Sequence, residues 1–463
     1  MFLRVLHYHK HALRSYRYSS RELAELQARK LRSILTHAYQ RVPLYHRWLH
    51  SRGLTPDDIR TVDDLRRLPT LSRGELRENS PSGIVDSTKD PRRAVVRRTS
   101  GTTGSPLRIL QAREYRDLLA ALRLRRCRMA GISPWDRGAE VEHRGTISMP
   151  RKGLRATNAG TTLLGLYRIA FDSTGVFRPG IRVTTFELRD GDLERVAHSL
   201  VELKPRYISS RPSYLRRLAY QIRKGGQSLH VPRLFTGGEY LSEGCRKELE
   251  ELYQAELFAG YGTREMGGLA FECASHSGPH LFSDFFIFEV LRDGETVSSG
   301  EAGEVVITSL HNRLMPLIRY AQGDTVILEE GGPCSCGSHL PRLREIQGRT
   351  DDGVVSKEGL RIPPGPVIDH LESAFGLRDY QVIQRDLRHV RLRLPFAWDT
   401  APVISHVQEY LRSLLGEDID IAVETVRDGE LPVKYRPIVS TAPPPTPRLI
   451  QVPTVPRPTT EAA

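Results

Sequence analysis

A run of glycine and hydroxyl residues, Thr99-Ser-Gly-Thr-Thr-Gly-Ser-Pro106, constrains this chain more than any other feature. It follows a β-like stretch, Ala94-Val-Val-Arg-Arg98. Glycines let successive backbone N–H groups converge on one point, and Ser and Thr hydroxyls add further donors. A loop of that make-up can wrap a phosphate chain as an anion-binding nest. The Gly-Lys-Ser/Thr ending of the ordinary nucleotide loop is missing, so this is not that device. Gly/Ser/Thr clusters are also common as plain flexible loops. The run therefore takes its meaning from the segments downstream of it.

Three such segments come in fixed order: Tyr261-Gly-Thr-Arg-Glu265, Arg319-Tyr-Ala-Gln-Gly-Asp324 and Gly348-Arg-Thr-Asp-Asp352. With the loop they resemble the adenylate-forming enzymes, the superfamily of acyl-CoA synthetases, luciferases and peptide-synthetase adenylation domains. The phenylacetate–CoA ligase-like branch, with its capsular-polysaccharide-type members, is the closer resemblance. Its opening is matched by His37-Ala-Tyr-Gln-Arg-Val-Pro-Leu-Tyr45, continued by Leu65-Arg-Arg-Leu-Pro-Thr-Leu-Ser-Arg-Gly-Glu-Leu76. The resemblance covers roughly residues 20 to 440.

At 463 residues the chain exceeds one ordinary core, so two folded units are expected. Hydrophobic residues make up 39% and charged residues 27%, as in a soluble globular protein. No stretch has the length of a transmembrane helix. Met1-Phe-Leu-Arg-Val-Leu-His-Tyr-His-Lys10 is too short in apolar run and too charged for a secretory signal, which makes the cytoplasm the expected location. The net charge of +13 is spread along the chain as Arg, which reads as a solvated surface rather than a nucleic-acid tail. No specific nucleic-acid partner is expected. The five cysteines are an odd number in a chain without an export signal, which argues against a disulfide framework. Cys127 and Cys245 fall in helix-like stretches and read as inert thiols.

Periodicity predicts helices over 21–50, 112–130, 191–203, 213–224 and 242–254, with short strands at Arg233–Thr236 and Glu256–Ala259. Ser72 and Glu75 form a capping-box pattern. Strand–helix alternation implies an α/β unit with largely parallel pairing. Residues 285–328 read as strand-rich. After Gly348 the pattern becomes a small α+β unit: helix 364–375, strands 378–385 and 389–395, helix 402–415 and strand 419–425. Together with the resemblance, this gives the expected fold: α/β, a large N-terminal adenylate-forming domain with mixed sheets and helices plus a small α+β C-terminal domain. The expected boundaries are 1–348, a mobile domain over 349–441, and a disordered Pro/Thr-rich tail over 442–463.

The resemblance assigns roles. Thr99, Ser100, Gly101, Thr102, Thr103 and Gly104 would hold the β- and γ-phosphates of ATP. Gly238, Glu239, Tyr261, Gly262, Thr263, Asp324 and Arg349 would complete the nucleotide-binding set. Tyr261 would lie on or near adenine and Asp324 would accept hydrogen bonds from the ribose hydroxyls. Glu265 would hold Mg²⁺, which binds through one or two carboxylates plus phosphate oxygens. Arg264 stands where the family carries a hydroxyl, so Arg264 or Thr263 would contact the α-phosphate. Lys434, in Leu431-Pro-Val-Lys-Tyr-Arg-Pro437, matches the family's catalytic lysine although Val433 replaces the usual glycine. Lys434, Glu265 and Thr103 form the expected catalytic set. Cys273, His280, Cys334 and Cys336 suit a structural Zn²⁺, with His276 competing for the imidazole position and free buried thiols as the alternative. The acyl pocket is expected around Ser210-Arg-Pro-Ser213 and Thr236-Gly-Gly-Glu239, where Arg211 either pairs with an anionic substrate group or is a surface residue.

The implied activity is ATP-dependent conversion of a carboxylic acid, by default aromatic, to an acyl-adenylate. The acyl group then passes to an acceptor, by default coenzyme A. An amine or hydroxyl acceptor, giving an amide or ester, is the alternative. A nucleotide-binding relative without catalysis, with a polyanionic partner, is the lesser one. A homodimer is compatible with this reading.

Overall fold

The computed structural model describes residues 2–98, 107–133, 136–143, 170–171, 177–178, 182–188, 191–395, 401–427, 431 and 436–442. Thr99, Ser100, Gly101, Thr102, Thr103, Gly104, Lys434 and the tail from 443 onward lie outside the described residues.

A 12-stranded sheet organises most of the chain. One half is parallel: Arg182–Leu188, Arg137–His143, Tyr207–Ser210, Arg233–Thr236 and Glu256–Thr263 lie side by side in that order. The other half is antiparallel and runs through Gly267–Phe271, His280–Leu281, Arg342–Arg349, Tyr320–Glu329, Ala302–Ser309 and Phe286–Arg292 to the edge at Glu295–Thr296. Parallel pairing thus holds for part of the sheet, and the strand Glu256–Thr263 is the seam between the two halves. The physical reason lies in the connections. Helices Leu193–Leu203, Pro212–Lys224 and Glu243–Tyr253 supply the crossovers that parallel neighbours need. Downstream of Gln254 the connections shorten, and short connections pair strands antiparallel.

Local signals set the helix limits. Ser72 accepts from the Glu75 N–H while Glu75 reaches back, so the capping-box pattern forms as expected. Ser242 caps Glu243–Tyr253, which ends at Gln254 with a left-handed φ of 48°. The predicted helix over 21–50 is instead two helices, Ser20–Arg41 and Pro43–His50, because Pro43 has no N–H to continue the first. Periodicity assigns no element to Phe2–Ser15, yet it is a helix packed on Arg113–Met129. Among the described residues no helix is long and apolar enough to cross a membrane.

From Val354 the chain builds a 4-stranded sheet in the order Asp420–Val426, His389–Pro395, Gln381–Gln384, Ile438–Ser440. Helices Pro364–Ala374 and Ala401–Leu415 accompany it. Val367, Leu371, Val382, Leu392, Val407 and Leu411 are fully buried in its own apolar cluster. Each such burial contributes about 1.5–3 kcal/mol. Arg378–Glu248 (2.8 Å), Arg217–Asp379 (3.2 Å) and Arg216–Glu372 (3.3 Å) join it to the helices of the large sheet.

A buried ion pair ties the first helix to the rest. Arg125 Nη1 and Nη2 donate to Asp284 at 2.7 and 3.2 Å, with both side chains 0% exposed. Nη1 also donates to the Ala12 carbonyl at 3.1 Å, and the guanidinium lies 4.1 Å from the Phe282 ring centre. Ser15 donates to the same carboxylate, and Lys30 donates to the Asp284 carbonyl at 2.6 Å. Removing one member of such a pair strands the other charge in a dry site. Asp284→Ala should cost about 3–5 kcal/mol of stability by denaturant unfolding. A loss below about 1 kcal/mol, the size of a surface pair, would contradict this account.

Candidate active site

Parallel strands in register bring their carboxyl ends to one level. Ser210 pairs with Thr236 and Thr236 with Ala259, so the chain segments beyond them emerge together. Open α/β sheets bind ligands in the crevice outside these strand ends. A cavity of about 830 Å³ opens there. It is lined by Gly238, Glu239, Tyr261, Gly262, Thr263, Arg264, Glu265, Asp324 and Arg349. Every described residue expected to bind nucleotide therefore faces one space, although they come from segments far apart in sequence.

Glycine makes the close approach possible. A Cβ on Gly237 would stand 2.7 Å from the Gly260 carbonyl oxygen, and one on Gly262 would stand 2.6 Å from that of Gly267. The Tyr261 hydroxyl donates to Asp324 Oδ2 at 2.8 Å. Gln322 donates to both Tyr261 and Asp324, the latter at 2.9 Å. Arg349 Nε stands 3.6 Å from Asp324 Oδ1, across the pairing of the two residues on adjacent strands. Burial raises the Asp324 carboxyl above its ordinary range, against the opposing effects of Arg349 and the Tyr261 hydrogen bond.

Glu265 is buried, and its Oε1 accepts from the Tyr320 hydroxyl at 3.0 Å. Its Oε2 has no hydrogen bond among the described residues. Thr263 Oγ1 accepts from the Met266 N–H at 3.1 Å, which closes the turn and leaves the hydroxyl proton to donate elsewhere. Arg211 is no bare surface residue: it lines the cavity, donating to the Gly238 carbonyl at 2.8 Å and pairing with Glu239 at 3.3 Å. Arg436, two residues past Lys434 in the same segment, pairs with Asp352 and also lines the cavity.

Sequence reading misses a charged group at another part of this wall. Arg123 and Arg126 come from helix Arg113–Met129, three residues apart and so on one face. Glu140 and Glu142 come from strand Arg137–His143, two apart and so on one side of the sheet. Burial, then Glu140, raise the Glu142 carboxyl, while Arg264 opposes them. By pattern alone the helix is Arg-rich and amphipathic. The signal for a cavity wall is the set of arginines on its otherwise apolar face.

A second cluster lies apart from the cavity lining. Cys273, His280, Cys334 and Cys336 bring their ligand atoms within 4.8 Å of one another. Cys273 Sγ is 3.7 Å from Cys334 Sγ, and Cys336 Sγ is 3.4 Å from His280 Nε2. Tetrahedral zinc with its usual bond lengths sets sulfur–sulfur separations of about 3.8 Å and sulfur–nitrogen ones of about 3.5 Å, so the donors fit. His280 Nδ1 faces the Leu340 carbonyl at 3.3 Å, which turns Nε2 toward the thiols. The Gly337 N–H donates to the Cys334 carbonyl at 2.8 Å, and Gly337 has φ of +81°, a tight turn that accommodates the short Cys-Ser-Cys spacing. His276 goes elsewhere, pairing with Glu256 at 3.0 Å and Glu272 at 3.3 Å. Tyr16, which no sequence pattern connects to this cluster, places its hydroxyl 3.1 Å from Cys336 Sγ. Cys127 and Cys245 are buried in their helices.

No family model matches the chain. Individual proteins do. The chain is 30% identical over 356 residues to the phenylacetate-coenzyme A ligase of Thermus thermophilus, covering 75% of this chain and 74% of the relative. It is 28% identical over 437 residues to the enzyme of that name from Escherichia coli, covering 89% and 92%. A crystal structure of 2-hydroxyisobutyryl-CoA ligase superposes with a TM-score of 0.75 at 21% identity, over 92% of this chain and 91% of that one, and so has the same fold. The ordered motifs, the cavity that the described ones line together and the identity across most of both chains lead to one assignment: this chain belongs to the phenylacetate–coenzyme A ligase family of adenylate-forming enzymes.

Proposed function

We propose that the protein activates a carboxylic acid with ATP, giving an acyl-adenylate and pyrophosphate, and then passes the acyl group to coenzyme A. The observation that carries this reading is the convergence of Tyr261, Glu265, Asp324 and Arg349 on one cavity, in a chain of this family. Adenylation joins two anions. The site must hold the triphosphate, orient the carboxylate for attack on the α-phosphorus and offset the charge that builds there.

Each residue has a task in that scheme. Asp324 accepts hydrogen bonds from the ribose, its carboxylate oriented by Tyr261, Gln322 and Arg349. Tyr261 flanks the adenine. Gly238, Glu239 and Gly262 line the nucleotide's path, where the lack of a side chain at the glycines admits a ligand close to the backbone. Glu265 Oε2 is the oxygen suited to Mg²⁺, which supplies charge neutralisation on the phosphates when bound. Thr263 and Arg264 face the α-phosphate. The Thr99–Gly104 loop, with Thr103, holds the β- and γ-phosphates, and Lys434 bridges the carboxylate and the α-phosphate. Residues 349–441 act as a mobile unit, turning near Arg349 and Asp352 so that Lys434 serves the first half-reaction and withdraws for the second. Cys273, His280, Cys334 and Cys336 hold a structural zinc. With four protein ligands it would brace the interior of the sheet, where His280–Leu281 lies between Gly267–Phe271 and Arg342–Arg349, and leave no open position for substrate.

Acid-dependent ATP–pyrophosphate exchange, followed by detection of an acyl-CoA product, tests the main reading. Exchange with at least one acid and a thioester product are expected; an amide or ester formed without coenzyme A would refute the acceptor. Lys434→Ala should slow adenylation by about 10²–10³-fold while a chemically made acyl-adenylate is still converted to thioester. Asp324→Ala should impair both half-reactions through weaker nucleotide binding. A Lys434→Ala enzyme with normal adenylation rules the lysine out.

Metal analysis of the purified protein should find about one zinc per chain. Cys336→Ala should lose that zinc and lower the unfolding temperature. A metal-free protein with full stability would show the quartet to be free thiols.

A further inference from the structure

We propose that the acid activated by this protein carries a second carboxylate, received in the cavity by Arg126. The inference rests on the reading above and names its substrate class. It begins from a charge count along the wall. Arg123, Arg126, Arg211 and Arg264 line the cavity with Glu140, Glu142 and Glu239. Arg123 pairs with Glu140 and Arg211 pairs with Glu239. Glu142 is the main charge acting on Arg264. Within this group of seven each carboxylate is thereby matched to one guanidinium, and Arg126 is the member without an acidic partner among the described residues.

Arg126 makes no hydrogen bond or ion pair among the described residues, and its Nε is buried without a partner. Its guanidinium carbon stands 5.2 Å from the Phe271 ring centre. Arg126 Nη1 stands 3.7 Å from where a Cβ on Gly268 would be, so the backbone there adds no side chain to cover it. Burial, then the neighbouring Arg123, work against its charge, and the opposing pull of Cys127, Glu140 and Tyr207 does not make up the loss. A buried cation without an acidic partner is costly unless something charged joins it. The planar fork of a guanidinium matches a carboxylate with two parallel hydrogen bonds. Phe235, Phe271 and Leu119 line the same cavity and offer apolar surface for the body of the acid. One carboxylate of the substrate would react at the nucleotide, and the other would complete the pair at Arg126.

The experiment compares matched acids in ATP–pyrophosphate exchange and thioester formation: phenylacetate against para-carboxyphenylacetate, and hexanoate against adipate. The wild-type protein should favour a diacid over its monoacid partner in kcat/KM. Arg126→Gln should lower kcat/KM for the diacid by about 30- to 3,000-fold, mainly through KM, with activity on the monoacid largely kept. Arg126→Lys should restore part of the loss. ATP binding, read by thermal shift, should be unchanged in both variants. A preference for monoacids, or a diacid activity indifferent to Arg126→Gln, overturns the inference and leaves the adenylation reading standing. If the variants fail to fold, the wild-type preference alone decides. No exchange with any acid overturns both.

Discussion

The site depends on the register of the parallel strands at the seam of the large sheet. Ser210, Thr236 and Ala259 stand level because the strands that carry them pair residue for residue. A slip of one residue in Glu256–Thr263 would turn Tyr261 to the other face and remove its hydroxyl from Asp324. The antiparallel half enters at the same strand. Its hairpin partner Gly267–Phe271 and the adjacent Tyr320–Glu329 and Arg342–Arg349 supply the other wall. Register, not any single side chain, is what brings the three described motifs, at Tyr261–Glu265, Arg319–Asp324 and Gly348–Asp352, to one cavity.

The same seam explains the distribution of polar groups. A carboxylate buried without partners would take up a proton and lose its usefulness. Asp324 instead receives Tyr261 and Gln322 and faces Arg349. Glu265 receives Tyr320 on one oxygen, while the other makes no hydrogen bond among the described residues. Further along the wall, charge is matched pairwise through Arg123–Glu140 and Arg211–Glu239. The site is therefore built mostly of paired groups, and the proposed ligand contacts fall at the few that are not.

Much of this is legible in the sequence, and for identifiable reasons. The capping box at Ser72 and Glu75 is a local signal that needs no tertiary context. Strand Arg233–Thr236 and strand His389–Pro395 are legible to the residue, because their alternation or apolar run is bounded by clear breakers. The residues from Gly238 to Arg349 expected at the nucleotide do line one cavity. Other features are illegible. The helix Phe2–Ser15 owes its place to Arg125 and Asp284, partners more than a hundred residues away. Arg126 looks like one more cation in a basic helix. What sets it apart is the lack of a hydrogen-bond or ion-pair partner among the described residues, which no local pattern records.

The central claim is that one cavity holds both the nucleotide and the acyl group. Titration calorimetry with a non-hydrolysable acyl-adenylate analogue, compared with AMP and with the free acid, measures this directly. The account predicts that the joined analogue binds at least about 10²-fold more tightly than either piece, because reaction intermediates and their mimics engage both walls at once. An analogue that binds no better than AMP alone would contradict it.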